Sequence, residues 1–401
     1  MAILHPFRAL RPHPDVAAEV ACVPYDVINT REARALAQGR PKSFLHVIRP
    51  EIDLPEGVDE HADEVYAKGA ENLAALIASS DFLQDEAPSL YLYRLIMDGR
   101  AQTGIFGCVA VSDYDQDVIL KHELTRPDKE DDRTRHILTQ SAHAEPVMLT
   151  FRTEAMVSEL MQAEVQHAPL YDFVAPDGIQ HTVWQVQQVD ALVEAVLGVE
   201  KLYVADGHHR CKAASRAAEA TANDADIREE VRYFPAVLFP MDQMAILPYN
   251  RIVYRLPMAK LAFLEALKKM DLAENASATP EAKGDVSLYM DGVWYGIRLP
   301  ETQRASVTDT LDVARLAEYV LEPILGIHDP RTDPNLYFVG GIRGTTELER
   351  LVDDGTAEVA FSMYPTLISE LLTVSDAGQL MPPKSTWFEP KLRSGLLVHL
   401  F

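Results

Sequence analysis

The sequence predicts a mixed α/β protein, and three observations carry that expectation. Apolar runs of strand length bounded by turn residues recur, for example Ser89 to Ile96 and Gln102 to Ser112. Other stretches place apolar residues at helical spacing, as in Asp59 to Ser79, where Val65, Leu73, Leu76 and Ile77 share one face. The third is Tyr203-Val204-Ala205-Asp206-Gly207-His208-His209-Arg210, a β-rich run that turns through glycine into an Ala-rich helix, Cys211 to Ala220. A helix near Trp184 to Leu197 precedes it and a strand from Tyr233 to Met241 follows. Together they predict a β–α–β unit around the turn.

The remaining elements follow in order. Residues 1–55 are proline-rich and read as loops and short strands, with Ser43 to Ile48 the clearest strand. Asp98-Gly99 predicts a tight hairpin between the strands on either side. Residues 113–136 read as a polar, charged loop in which Pro127 interrupts any helix at its start. Helices near Met258–Met270 and Val313–Leu325 flank a hairpin from Ser287–Met290 to Tyr295–Arg298 that turns at Asp291-Gly292. A strand, helix and strand are expected at Leu336–Val339, Thr345–Leu351 and Ala357–Phe361. With no repeat or long linker, the chain is divided into regions 1–155, 156–255 and 256–401, close enough to form one unit.

Length and composition set bounds. A chain of 401 residues has room for two or three domains, and 47% apolar with 24% charged residues is ordinary for a globular protein. The formal charge, 37 − 61 = −24, argues against nucleic acid as a main partner. No apolar run reaches membrane-spanning length, and Met1 to Arg8 lacks the pattern of a signal peptide. Cys22, Cys108 and Cys211 are scattered and odd in number, which predicts no disulfide framework, no zinc-type Cys pair and a cytoplasmic location.

The chemistry centres on the Asp206–Arg210 turn. A strand turning through glycine onto a helix N-terminus aims unpaired N–H groups and a positive dipole outward, an anion site, and Arg210 adds a planar fork suited to phosphate. A second polar group, Lys121-His122-Glu123-Leu124-Thr125-Arg126 followed by Asp131-Asp132-Arg133, contains the cations, carboxylates and hydroxyl that phosphoryl transfer needs. His122 and Glu123 are adjacent, which is not the spacing of a helical zinc-protease pair. The strap from Met381 to Gly395 is stiffened by three prolines and offers Lys384, Ser385, Thr386, Lys391, Arg393 and Ser394 as donors, without the glycine-rich lead-in of a Walker A loop. Gly340 to Gly344 is a weaker glycine-rich turn of the same type. Asp26 in the apolar run Val23 to Ile28, Glu51 at a strand end, and Glu123 are the carboxylates suited to act as a base, with His209 a further catalytic candidate. Cys211 stands beside Arg210 at a helix start, where a thiolate is stabilised.

Asp206-Gly207-His208-His209-Arg210 resembles the signature of the ADP- or ATP-dependent free serine kinases of the ParB/sulfiredoxin-like superfamily, in which this loop holds nucleotide phosphates. A catalytic sulfiredoxin-type cysteine would stand where Gly207-His208 lies. Over the whole chain, His5 to Pro12, Val23 to Ile28, His122 to Arg126, Asp206 to Arg210, Leu247 to Arg251 and Met381 to Lys391 resemble a bacterial domain-of-unknown-function family, numbered ten-fifteen. Its members are often encoded near genes of phosphoserine metabolism, which implies serine or phosphoserine as ligand.

The resemblance implies a ParB/sulfiredoxin-like core and a nucleotide-dependent phosphotransferase acting on free serine, or releasing serine in reverse, with ATP or ADP and magnesium. Gly207, His208, His209 and Arg210 would hold the phosphates and Asp206 the magnesium. His122, Arg126, Lys384, Ser385, Thr386 and Lys391 would bind substrate or phosphate, with the base among Asp26, Glu51 and Glu123. Two other classes remain. One is a non-catalytic nucleotide-binding regulator. The other is a metal-dependent hydrolase built on His122, His136, His143, His208 and His209.

Overall fold

Two sheets organise the chain in a computed structural model that describes residues 2–223 and 229–401. They belong to two compact units, Met1–Met244 with Pro390–Phe401, and Ala245–Glu389. The expected cut at 155 falls within the first unit and that at 255 within the second. The architecture is mixed α/β.

The sheet of the first unit has nine strands. They are β1 (Leu4–His5), β2 (Tyr91–Met97), β3 (Arg100–Ala110), β4 (Ile119–Leu120), β5 (Val147–Phe151), β6 (Tyr171–Val174), β7 (Gln180–Gln185), β8 (Leu202–Asp206) and β9 (Tyr233–Pro240). Their order is β4-β8-β5-β9-β3-β2-β7-β6, with β1 paired to β3. The β2–β3 hairpin turns at Asp98 and Gly99, whose φ values of 51° and 76° are those of a type I′ turn. Central strands such as Val147–Phe151 are buried along their whole length, so they read as mainly apolar runs rather than alternating ones. Leu149, Phe151, Val204, Leu238 and Ile105 form the centre of this core.

Strand directions decide where the functional residues meet. β8 runs parallel to β4, with Tyr203 beside Leu120, and antiparallel to β5, with Asp206 beside Met148. The residues after β4, those after β8 and those before β5 therefore converge at one end of the sheet.

The second unit holds β10 (Tyr249–Val253), β11 (Ala273–Glu274), β12 (Asp285–Met290), β13 (Val293–Arg298), β14 (Leu336–Gly340) and β15 (Val359–Met363), in the order β11-β13-β12-β15-β10-β14. The β12–β13 hairpin turns at Asp291-Gly292, again with positive φ at both residues.

Four local expectations are corrected. Ser43 to Ile48 is not a strand: Leu45–Ile48 is a short helix, because Val47 and Ile48 bond back to Phe44 and their side chains join a core with Leu73 of the Asp63–Ala78 helix. Pro127 does not interrupt a helix; it opens one, Pro127–Gln140, at the position where its missing N–H costs nothing. Trp184 belongs to β7, and the helix after it starts only at Val189. The segments β8, helix His208–Ala220 and β9 do follow one another, yet β8 and β9 are antiparallel with β5 between them, so they are not a parallel β–α–β unit. Among the described residues no helix is long and apolar enough to cross a membrane.

Candidate functional site

The site forms where β8 ends. Gly207 has φ 102°, which lets the chain leave Asp206 and enter the helix His208–Ala220 at once. A Cβ there would stand 3.1 Å from Arg210 Cζ and 3.1 Å from Val147 Cγ1, so a side chain would be crowded as well as strained by φ. The first bond of the helix runs from Cys211 N to Gly207 O at 3.0 Å, and no side chain caps the end. The backbone N–H groups of His208, His209 and Arg210 precede that bond and point out of the helix end.

Arg210 lies beneath the turn. Its guanidinium donates to Pro146 O and to Asp206 Oδ2, the latter at 3.3 Å, while Nε has no partner. Burial opposes its charge, but Asp26, Asp206 and Glu145 outweigh it and hold the guanidinium above its ordinary value. Asp206 Oδ1 faces the Lys391 ammonium at 3.6 Å. Glu145 accepts from the Tyr25 backbone N–H at 3.1 Å and from Ser394 Oγ at 3.2 Å, with Arg133 at 3.7 Å. Burial raises the Glu145 carboxyl, and Arg210 and Arg133 pull it back only in part. Arg133 also lies 3.9 Å over the Tyr25 ring. Arg133, His136, His143, Glu145 and Arg210 line a cavity of about 30 Å³, room for a water molecule.

Beside the turn, His122 and His208 meet edge to face, ring centroids 4.4 Å apart. Burial pushes His122 down to about 4 and His208 well below its ordinary value, so both are neutral at pH 7. His209 is half-buried; its Nδ1 accepts from Arg126 N at 3.4 Å, and burial lowers it as well.

A family model described as "Protein of unknown function (DUF1015)" matches residues 4–314. The chain belongs to the DUF1015 family. No curated protein matches it. Similar solved structures include a mutant free serine kinase in complex with AMP, at 12% identity, covering 73% of this chain and 92% of that one, TM-score 0.36. A mutant of that kinase in complex with ADP gives the same figures, 12%, 73%, 92% and 0.36. SbnI with a C-terminal truncation, from Staphylococcus aureus, gives 14% identity, 74% and 87% coverage and a TM-score of 0.39.

In this DUF1015 member the other residues singled out by sequence are placed as follows. Asp26 is the exposed residue of a one-turn helix, Tyr25–Val27, rather than part of an apolar strand, and its charge acts on Arg210 and His209. Glu123 is exposed next to His122. Glu51 is buried with Arg49 at 2.8 Å and Thr30 at 3.3 Å. The Arg126 guanidinium is engaged by Asp128 at 2.7 Å. Lys384, Ser385 and Thr386 belong to the second unit. There the Lys384 carbonyl accepts from Arg251 at 3.1 Å, and the Ser385 hydroxyl donates to Pro382 O at 2.6 Å. Cys211 is buried and its thiol is pushed up to about 12, which removes the reactive thiolate its position suggested. Sequence reasoning missed Glu145 and Tyr25, and had Arg133 only as one cation of the polar run that follows Arg126. The one signal for Glu145 is a carboxylate placed just before a strand that is apolar but for Thr150, Val147–Phe151.

Proposed function

We propose that this protein is a nucleotide-dependent phosphotransferase whose acceptor is a small hydroxylated metabolite, with free serine, or phosphoserine in reverse, as substrate. The Asp206–Arg210 turn carries the reading. It combines a left-handed glycine, an uncapped N-terminus on a 13-residue helix, and a lysine 3.6 Å from the preceding carboxylate. Serine as acceptor rests on the likeness of these five residues to the free serine kinase signature.

In this reading the N–H groups of His208, His209 and Arg210 receive the nucleotide phosphates, and Lys391 turns from Asp206 towards them. Arg210 keeps the turn in shape from below, through Pro146 and Asp206. Asp26, exposed beside His209 and Arg210, takes the proton as the substrate oxygen attacks phosphorus and the bond to the leaving phosphate oxygen breaks. Both Asp206 oxygens face cations, so Asp206 fits magnesium only once Lys391 has moved. Bound magnesium would supply neutralisation of charge on the phosphate oxygens.

The test is phosphoserine formation from serine with ATP or ADP. Asp26→Asn is expected to lower kcat by about 10²–10⁴-fold with nucleotide affinity kept, the range for loss of a general base. Unchanged kcat in that variant would remove Asp26 from the chemistry, and no transfer to serine or any hydroxy acid would remove the reading.

A further inference from the structure

The buried histidine pair beside the turn has a chemistry that phosphate binding does not use. His122 is 2% exposed and His208 is 7% exposed. Among the described residues the Nε2 of His208 has no hydrogen-bond partner, and the ring of His122 has only the Val204 backbone as partner. A buried ring nitrogen left in this state calls for a bound partner. One ligand atom from each of His122, Glu123 and His208 lies within 4.8 Å of the other two.

We propose that His122, Glu123 and His208 form a binding site for a divalent first-row transition metal, with zinc the reference ion. Two imidazoles and one carboxylate are a donor set for zinc, iron, cobalt or nickel and a poor one for magnesium or calcium. Three protein ligands leave a coordination position open to solvent or substrate on the exposed Glu123 side. The arrangement follows from strand pairing. β4 and β8 are parallel, so the loop after Leu120 and the helix start after Asp206 lie side by side. The ring of His208 is thereby assigned to the metal, and only its backbone N–H to a phosphate. The site does not depend on the phosphotransferase reading.

The experiment is a titration of the full chain, stripped with chelator, with cobalt(II) and no nucleotide, followed by the visible spectrum and by competition with zinc. One saturable cobalt per chain, displaced by one zinc, is expected. His122→Ala is expected to abolish this binding. Glu123→Gln, at an exposed position, is expected to weaken it by at least the about 10–100-fold that follows loss of an outer-shell partner. No saturable binding by the wild type would overturn the proposal, as would unchanged binding in both variants. Because nucleotide is absent, neither result bears on phosphotransfer.

Discussion

Gly207 joins local conformation to function in a single residue. Its φ of 102° and the 3.1 Å approach to Arg210 and Val147 let one residue turn a strand end into a helix start, which puts three N–H groups beside Asp206. Gly207→Ala should cost about 1–3 kcal/mol in urea unfolding, the usual cost of a left-handed alanine, with added crowding of Arg210. An unchanged midpoint would show that the turn takes another conformation. This residue was legible in the sequence, since strand, Asp-Gly and an Ala-rich run have few other readings. Glu145 was not, because a glutamate before a proline looks like any loop carboxylate. Only the antiparallel pairing of β5 with β8 carries it towards Arg210. The histidine pair was named in the sequence only as two of five candidate metal histidines: His122 and His208 are far apart and share no motif spacing, and parallel pairing of β4 and β8 brings them together.

At the scale of elements, the C-terminal segment Pro390–Phe401 belongs with the first unit and brings Lys391 to Asp206. Arg393 anchors it. Its guanidinium donates to Asp177 and, at 3.2 Å, to His181 Nε2, and its backbone N–H donates to Tyr93 Oη at 3.2 Å. His181 must be neutral to accept that bond, and burial together with Arg393 pushes it down to about 3. Between about pH 6.5 and pH 3 the unfolded chain therefore holds a proton that the folded chain does not. This contribution to stability is present above pH 6.5 and is lost as pH falls through that window. Chemical denaturation across pH should show that loss, and Arg393→Ala should make the slope shallower. The same slope in both proteins would separate His181 from the segment. The elements best read from sequence were the two hairpins, fixed by Asp-Gly turns whose backbone is set locally. Those misread were Leu45–Ile48 and Pro127–Gln140, where packing and helix-start chemistry outweigh residue preference.

For the whole molecule, the mixed α/β class was legible from alternating periodicities, whereas the antiparallel relation of β8 and β9 was not, because hydropathy carries no strand direction. The chain leaves the first unit after Met244 and returns at Pro390, so one proline-rich strap is split between units, with Lys384 to Thr386 in one and Lys391 in the other. No change of composition marks that division. The central claim, that the Asp206–Arg210 turn with Lys391 is a nucleotide phosphate site, is tested most directly by calorimetric titration of the full chain with ADP and ATP, with and without magnesium. Saturable binding is predicted, weakened about tenfold or more in Lys391→Ala, the equivalent of about 1.4 kcal/mol. The absence of heat from either nucleotide at millimolar concentration, in protein that melts cooperatively, would contradict it.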